Sequence, residues 1–214
     1  MPTLTHENPT GGDIAPPRWP GGFDGDGRSG DPAFSRFPLS KGELGMWVLI
    51  VVIVMLFAGL SSAYIVLRGA PTWQNIALPQ VLWLNTALLF VSSFTLEYAK
   101  RAVRQNSQRA VRNWIVASAL LGVAFLAGQL LAWRQLVAAG VYLPTTLQSS
   151  FFYVLTALHG VHLIGGIAGF GIALSAAFRG QLQPGAHTPL KVCALYWHAM
   201  DLIWIYLFML LILT

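Results

Sequence analysis

The stretch LGMWVLIVVIVMLFAGLSSAYIVL, residues 44–67, contains no charged side chain. An α-helix rises ~1.5 Å per residue, so about 20 apolar residues cross the ~30 Å hydrocarbon core of a bilayer. The composition of the whole chain agrees, because 55% of its 214 residues are hydrophobic, 10% are charged and the mean hydropathy is +0.60. Soluble domains carry about 25% charged residues. The sequence therefore predicts an integral membrane protein.

Further apolar segments of similar length follow, and short polar breaks separate them. The long uncharged run after Arg134 is divided by GVYLPTTLQSS, which reads as a loop. We predict membrane-spanning helices over residues 44–67, 79–97, 113–134, 149–178 and 192–213. The predicted fold class is all-α, a polytopic membrane helix bundle with five transmembrane helices.

Residues 1–43 differ in chemistry from the rest of the chain. They hold six of the eight acidic residues and 15 Gly or Pro. A stretch such as GGFDGDGRSGDP cannot bury enough apolar surface to offset the entropy lost on ordering. We predict a disordered, Gly/Pro-rich cytoplasmic tail at 1–43 and a membrane domain at 44–214. The tail lacks the basic start and apolar core of a secretory signal, so the first span is expected to stay in the protein.

Lysine and arginine are distributed unequally between the two ends of the spans. If the N-terminus is cytoplasmic, eleven Lys and Arg lie inside: in the tail, in the segment 100–112 and between the fourth and fifth spans. Only Arg68 and Arg134 lie outside. Because Lys and Arg stay preferentially on the cytoplasmic side, the N-terminus is predicted to be cytoplasmic and the C-terminus periplasmic. We interpret the five cations of 100–112 as this topological signal or as attraction to anionic lipid, not as a nucleic-acid site.

Motifs of soluble enzymes are absent from the sequence. There is no Gly-rich phosphate loop, no HExxH and no GxSxG, and the single cysteine, Cys193, excludes a disulfide framework and a Cys-ligated zinc or iron–sulfur site. Ionisable groups within membrane spans are costly and need partners. The fourth span holds His159 and His162, and the fifth holds His198 and Asp201, with each pair on one helical face.

These four residues predict a polar seam between the fourth and fifth spans. Because consecutive spans run antiparallel, His162 falls level with His198, and His159 with Asp201. The seam is interpreted as interhelical hydrogen bonding that fixes the packing of the bundle. Three alternatives remain open: a metal held by the three histidines and the carboxylate, a haem ligated axially by His162 and His198, and a proton relay.

Other polar and small residues predict helix contacts. Asn85 in the second span and Gln129 in the third are expected to form interhelical hydrogen bonds. Gly165 and Gly169 have GxxxG spacing, which is typical of a close approach between two helices.

Several strings of the sequence are similar to one known family. They are LGMW, MLF and SAYIVLR in the first span, LWLNTALLFVSS, FLAGQLLAW, SSFFYVLTALHGVHLIGG and YWHAMDLIWIYLF. In this order and spacing they resemble subunit III of the haem–copper terminal oxidases, from Leu44 to the C-terminus. The chain resembles the short bacterial form, which lacks the first two of seven helices. Val52 and Ile53 stand where family members place a Ser-Glu pair, so the buried carboxylate of that helix is absent here.

The resemblance implies a non-catalytic subunit, with no catalytic centre or metal of its own, in a cytochrome c oxidase of the bacterial inner membrane. Haems and copper are expected in partner subunits I and II. The implied role is to pack against subunit I, to hold phospholipid and to sustain proton uptake and turnover stability. A small subunit IV is a further partner that the resemblance allows in the same complex. Residues matching the family's helix motifs are Tyr64, Asn85, Gln129, His159, His162, Trp197, His198 and Asp201.

Lipid contacts are expected at Trp47, Arg68 and Arg179, near the ends of the spans. Alternatives to the cytochrome c oxidase role are subunit III of a quinol oxidase and a membrane haem carrier that uses His162 and His198. An autonomous proton or small-molecule transporter is a third alternative, although the sequence has no inverted repeat of the kind transporters often use.

Overall fold

The computed structural model describes residues 41–69, 71, 73, 77–143, 145–182 and 188–213. Among these residues there are five α-helices and no strand. The helices are α1 (Lys41–Leu67), α2 (Val81–Arg104), α3 (Gln108–Ala138), α4 (Leu147–Phe178) and α5 (Thr188–Leu213). All five are long and apolar enough to cross a membrane. The predicted all-α bundle of five transmembrane helices is therefore confirmed.

The predicted tail, residues 1–43, lies outside the described residues except for its last three. Residues 41–43 belong to the first turn of α1, so the helix begins before the predicted boundary at 44. Glu43 lies in this first turn, where a carboxylate interacts favourably with the positive end of the helix dipole.

The helices extend beyond the apolar spans that the sequence predicts. The second span was expected to end at residue 97, but α2 continues to Arg104 and carries Arg101 and Arg104 in its last turn. Basic side chains at a helix C-terminus complement the helix dipole, so the charged end continues the helix instead of breaking it. The third helix likewise covers 108–138, whereas the predicted span covers 113–134.

Tight connections hold neighbouring helices antiparallel. Between α2 and α3, Asn106 has a φ of 55°, a left-handed conformation that Asn tolerates, and the Ser107 amide donates to the carbonyl of Ala102. At the start of α4, Thr146 and Ser149 form a capping box, in which each side chain accepts from the other residue's backbone amide.

Helix α5 lies at the centre of the bundle. It packs against α1, α2 and α4 and is the most buried of the five helices. Trp197, Trp204, Leu207 and Phe208 on α5 are almost fully buried. By contrast, α1 is the least buried and touches only α4 and α5 among the described helices. Most of the surface of α1 is therefore left for lipid or for another chain.

Two glycines allow the other helices to approach Trp197. A Cβ at Gly122 on α3 would lie 2.6 Å from Trp197 Cη2, and a Cβ at Gly166 on α4 would lie 2.9 Å from Trp197 Cε3. Gly165, one end of the predicted GxxxG pair, has more room, because its Cβ would lie 3.6 Å from the Tyr196 hydroxyl. The predicted close contact of α4 is present, and its tightest point is Gly166.

Candidate functional site

A continuous chain of polar side chains joins α2 to α5. His198 Nε2 lies 2.9 Å from Glu97 Oε1, and His198 Nδ1 lies 3.0 Å from Ser93 Oγ. The Ser93 hydroxyl in turn donates to Asp201 Oδ2. Four side chains from two helices thus form an unbroken hydrogen-bonded path, which we call the α2–α5 polar chain.

The donors and acceptors of the chain pair at every step. The Ser93 hydroxyl donates to Asp201 Oδ2, and the Ser93 oxygen lies 3.0 Å from Nδ1 of His198. The other ring nitrogen, Nε2, lies 2.9 Å from Glu97 Oε1. Hydroxyl, imidazole and carboxyl groups in hydrogen-bond contact can pass protons to one another, so the chain is suited to proton exchange.

The chain runs from an exposed end into the interior of the bundle. The side chains of Glu97 and His198 are 42% and 34% exposed, and Lys100 Nζ contacts Glu97 Oε1 at 2.5 Å. Asp201, at the other end, is 8% exposed. Asp201 follows His198 by three residues, which is a rise of about 4.5 Å along the helix. The path thus begins near the charged end of α2 and ends one helical turn deeper.

The predicted pairing of α4 with α5 differs from the one observed. His198 and Asp201 make their hydrogen bonds with α2, not with His162 and His159. His162 Nδ1 lies 2.8 Å from the carbonyl oxygen of Leu158 in its own helix. The reason is the rotation of α5 about its axis, which turns His198 and Asp201 towards α2 and presents other residues to α4.

His159 occupies an aromatic environment instead of a polar one. It is fully buried, and neither ring nitrogen has a hydrogen-bond partner among the described residues. Its ring centroid lies 5.1 Å from that of Trp204, 5.8 Å from Phe125 and 6.4 Å from Phe57. The structure therefore gives His159 a packing role at the junction of α1, α3, α4 and α5.

Three more residues that the sequence analysis singled out are buried but lie apart from the α2–α5 polar chain: Asn85, Gln129 and Tyr64. Asn85 and Gln129 are 0% and 3% exposed, and their amide groups form no hydrogen bond within the described part of the chain. Asn85 packs directly against Gly128 of α3. Tyr64 is fully buried, and its ring packs edge-to-face against Trp73 and Phe151.

Sequence reasoning missed two members of the α2–α5 polar chain, Ser93 and Glu97. Ser93 is one of several small polar residues in α2, and Glu97 precedes Lys100 and Arg101 by three and four residues, a spacing typical of ordinary surface ion pairs. The signal that could have found them is their spacing: four residues apart, they share one face of α2. That face meets α5 at the depth of His198 and Asp201.

Threonine hydroxyl groups accept hydrogen bonds from two tryptophans, the buried Trp204 and the partly buried Trp133. Trp204 Nε1–H donates to Thr86 Oγ1 at 3.1 Å, and Trp133 Nε1–H donates to Thr156 Oγ1 at the same distance. Buried indoles usually find such partners. These bonds connect α5 to α2 and α3 to α4, so two threonines add to the interhelical hydrogen bonding expected of the spans.

The three predicted lipid-contact residues lie in different places. Trp47 on α1 lies at the rim of a groove and a polar pocket that it shares with His198. Arg68 directly follows α1, and Arg179 caps the C-terminus of α4; both are exposed. Neither arginine lines that groove or that pocket.

The contacts of the His198 ring nitrogens bear on the alternatives in which the histidines bind a haem or a metal ion. Both nitrogens of His198 are within hydrogen-bonding distance of Glu97 and Ser93, so neither is left for a haem iron. No group of three His, Cys, Asp or Glu among the residues that the structure describes is arranged to hold a metal ion. The arrangement instead fits helix pairing and proton exchange.

Comparison with known proteins gives one family. The family of cytochrome c oxidase subunit III matches residues 35–213, which include all five helices. The chain is 34% identical over 174 residues to cytochrome c oxidase subunit 3 of Thermostichus vulcanus, a match that covers 78% of this chain and 85% of that protein. It is 34% identical over 176 residues to the Synechocystis protein of the same name, with 78% and 72% covered. It is 33% identical over 163 residues to the probable cytochrome c oxidase subunit 3 of Nocardia farcinica, with 72% and 79% covered.

Proposed function

The chain belongs to the cytochrome c oxidase subunit III family, and from this premise we propose that it is a non-catalytic subunit that packs against subunit I. As a family member it is a multi-pass membrane protein and part of an oxidase complex. In the proposal, subunits I and II carry the haems and the copper, and this chain carries neither. The observation that supports it most is the family match across all five helices.

The proposal places the protein in the bacterial cytoplasmic membrane with its N-terminus inside. The excess of Lys and Arg at the N-terminal end of α1, the C-terminal end of α2 and the loop between α4 and α5 supports this orientation. The exposed end of the α2–α5 polar chain then lies at the cytoplasmic surface. Because a proton-pumping oxidase takes up protons from that side, Glu97 and His198 at this end of the α2–α5 polar chain are in a position to support uptake by the complex.

The proposal also includes bound phospholipid. An apolar groove of about 460 Å³ lies between α1, α4 and α5 and is lined by residues such as Met46, Gly169, Val192 and Tyr196. Within a bilayer, hydrocarbon chains are the available filling for such a groove. Lipid held there would stabilise α1, the least buried helix, and we expect this to prolong the working life of the complex.

Cytochrome c is the proposed electron donor of the complex. The support is that the relatives are named as cytochrome c oxidase subunits, whereas the chain itself contains no feature that distinguishes cytochrome c from quinol as the donor. The haem-carrier alternative is disfavoured by His198, whose two ring nitrogens already face Glu97 and Ser93.

Affinity purification from native membranes tests this proposal. The chain, tagged at one terminus, is isolated in a mild detergent, its stoichiometric partners are identified by mass spectrometry, and a visible spectrum is recorded on the same fraction. We expect a large polytopic haem-bearing subunit, a copper-binding subunit II and reduced haem bands, all absent from an untagged strain. Recovery of the chain alone, or with unrelated partners, would contradict the oxidase assignment.

A further inference from the structure

Three buried polar side chains in the bundle have no hydrogen-bond partner within the described part of the chain. Asn85 of α2 and His159 of α4 are 0% exposed, and Gln129 of α3 is 3% exposed. Each side chain contributes two unpaired atoms, so six nitrogen and oxygen atoms are involved. Folded proteins pair nearly all such groups, because each unpaired one keeps the full cost of leaving water. The six atoms therefore need a partner.

Gln129 and His159 lie at the same level of the bundle. Gln129 shares one face of α3 with Phe125 and Trp133, which lie four residues before and after it. The ring centroid of Phe125 is 5.8 Å from that of His159. Trp133 Nε1–H donates to Thr156, which precedes the histidine by three residues on α4. Gln129 thus lies between two contacts with the segment of α4 that carries His159.

Asn85 of α2 reaches the same level from the other side of α3. Its side chain lies against Gly128, where an added Cβ would be 2.9 Å from Asn85 Cγ, and Gly128 directly precedes Gln129. Thr86, the next residue of α2, accepts from Trp204 Nε1–H. The ring of Trp204 packs beside the buried histidine of α4, at a centroid distance of 5.1 Å. Contacts therefore link the positions of all three polar side chains.

Asn85, Gln129 and His159 form what we call the buried polar layer, near the centre of the membrane. The ring of Phe57 on α1 lies 6.4 Å from that of His159. Phe57 is close to the middle of the uncharged stretch 44–67, so the layer is about equally far from both membrane surfaces. The hydrocarbon around the bundle offers no hydrogen bond at this depth.

Water is the ligand that fits the buried polar layer. Its atoms are enclosed by the chain itself, so a side chain of a partner subunit or a lipid headgroup has no access to them. The two amides carry no net charge with which to hold an ion. Amide and imidazole groups together offer both donors and acceptors, and one buried water satisfies two to four such groups.

We propose that the buried polar layer binds a small cluster of internal water molecules. The water bridges the amides of Asn85 and Gln129 to the imidazole of His159, and so joins α2, α3 and α4 by hydrogen bonds in the centre of the bundle. The site shares no residue with the α2–α5 polar chain. It goes beyond the proposed function and does not depend on the oxidase assignment.

Radiolytic labelling of the full chain, purified with the partners it brings, tests the proposal. A brief X-ray pulse converts water into hydroxyl radicals, which oxidise the side chains that touch this water, and peptide mass spectrometry locates the oxidation. The reference residues are Leu96 and Ile115, which are as deeply buried as His159 and Trp204. After correction for intrinsic reactivity, we expect His159 and Trp204 to be oxidised several-fold faster than the reference residues.

Apolar substitution of the two amides provides a matched pair of variants. Asn85→Leu with Gln129→Met keeps the approximate size of both side chains and removes four of the six unpaired atoms. We expect this double variant to lower the oxidation of His159 and Trp204 several-fold, to the level of the reference residues. The control is Ser118→Ala, which removes a buried hydroxyl of α3 whose hydrogen bonds lie within the protein, and it should leave the oxidation unchanged.

A density map of the parent complex that shows ordered water gives a second measurement, which does not require any variant to fold. We expect density within hydrogen-bonding distance of at least two of the three side chains. A map without such density would overturn the proposal. Oxidation of His159 and Trp204 no faster than that of the reference residues, or equal oxidation in the parent and the double variant, would overturn it as well.

Discussion

Replacing Gly166 by alanine tests how tightly α4 packs against α5. The added Cβ would lie 2.9 Å from Trp197 Cε3 and 3.2 Å from Tyr196 Cε1, whereas carbon atoms in contact prefer about 3.5–4.0 Å. Trp197 is fully buried and cannot retreat, because its far edge already fills the space beside Gly122. Overpacking of this kind costs about 1–3 kcal/mol, and the better helix propensity of alanine returns up to ~1 kcal/mol. We expect the free energy of unfolding to fall by about 1–2 kcal/mol.

The measurement is SDS titration of the purified protein in mixed micelles, followed by far-UV circular dichroism. Gly171→Ala is the matched control, since it lies on the same helix and no atom of the described residues comes within 4 Å of its added Cβ. This control should be as stable as the parent protein or slightly more so. If Gly166→Ala is as stable as Gly171→Ala, the packing of Trp197 against α4 is not as the structure describes.

Five further substitutions probe three hydrogen-bonded sites between and within the helices, and the same titration measures each. Asp201→Leu removes the acceptor of the Ser93 hydroxyl and should lower the free energy of unfolding by about 1–3 kcal/mol, whereas Asp201→Asn keeps an acceptor and should lower it by less than half of that. Equal losses would show that the charge of Asp201, not its hydrogen bond, is what matters. Thr146→Ala removes the capping box of α4 and should cost about 0.5–2 kcal/mol; an unchanged midpoint would mean that the cap does not hold this helix end. Trp204→Phe and Thr86→Val, combined in a double-mutant cycle, should show a coupling of about 0.5–1.5 kcal/mol, and strictly additive losses would count against the hydrogen bond between them.

The sequence predicts the number and type of the helices because the bilayer imposes a simple rule. An uncharged stretch such as residues 44–67 has one stable state in hydrocarbon, a helix with all its backbone groups paired. The helix ends are less predictable, since Lys100 and Arg104 end the apolar stretch without ending the hydrogen bonding of α2.

The partners of the polar residues could not be obtained from the sequence. Depth follows from counting residues along a helix, so His198 and Asp201 are placed near the level of the fourth-span histidines. Which neighbour they face depends on the rotation of α5, and the packing of Trp197 against Gly122 and Gly166 sets that rotation. The GxxxG spacing likewise identified a contact of α4 but not the glycine at its centre.

Among the described residues, the buried carboxylate lies on α5, whereas the family resemblance places one on the first span. On α1, where the family places a Glu, this chain has Ile53, which is 3% exposed and packs in the apolar core. A buried carboxylate lies instead on α5, at Asp201, and the α2–α5 polar chain joins it through Ser93 and His198 to Glu97 of α2. Any support of proton uptake by this subunit is therefore expected to act through α2 and α5, not through α1.

Oxygen consumption by the complex with and without this chain tests the central claim most directly. The oxidase is purified from a strain that carries the chain and from a strain that lacks it, and the rate per haem is followed from the first seconds of turnover until activity is lost. For a non-catalytic subunit that supports the complex, we predict equal haem spectra and similar initial rates, with faster loss of activity when the chain is missing. Loss of the haem bands or of the initial rate would show that the chain contributes to the catalytic centre, and equal lifetimes would show that it does not sustain turnover.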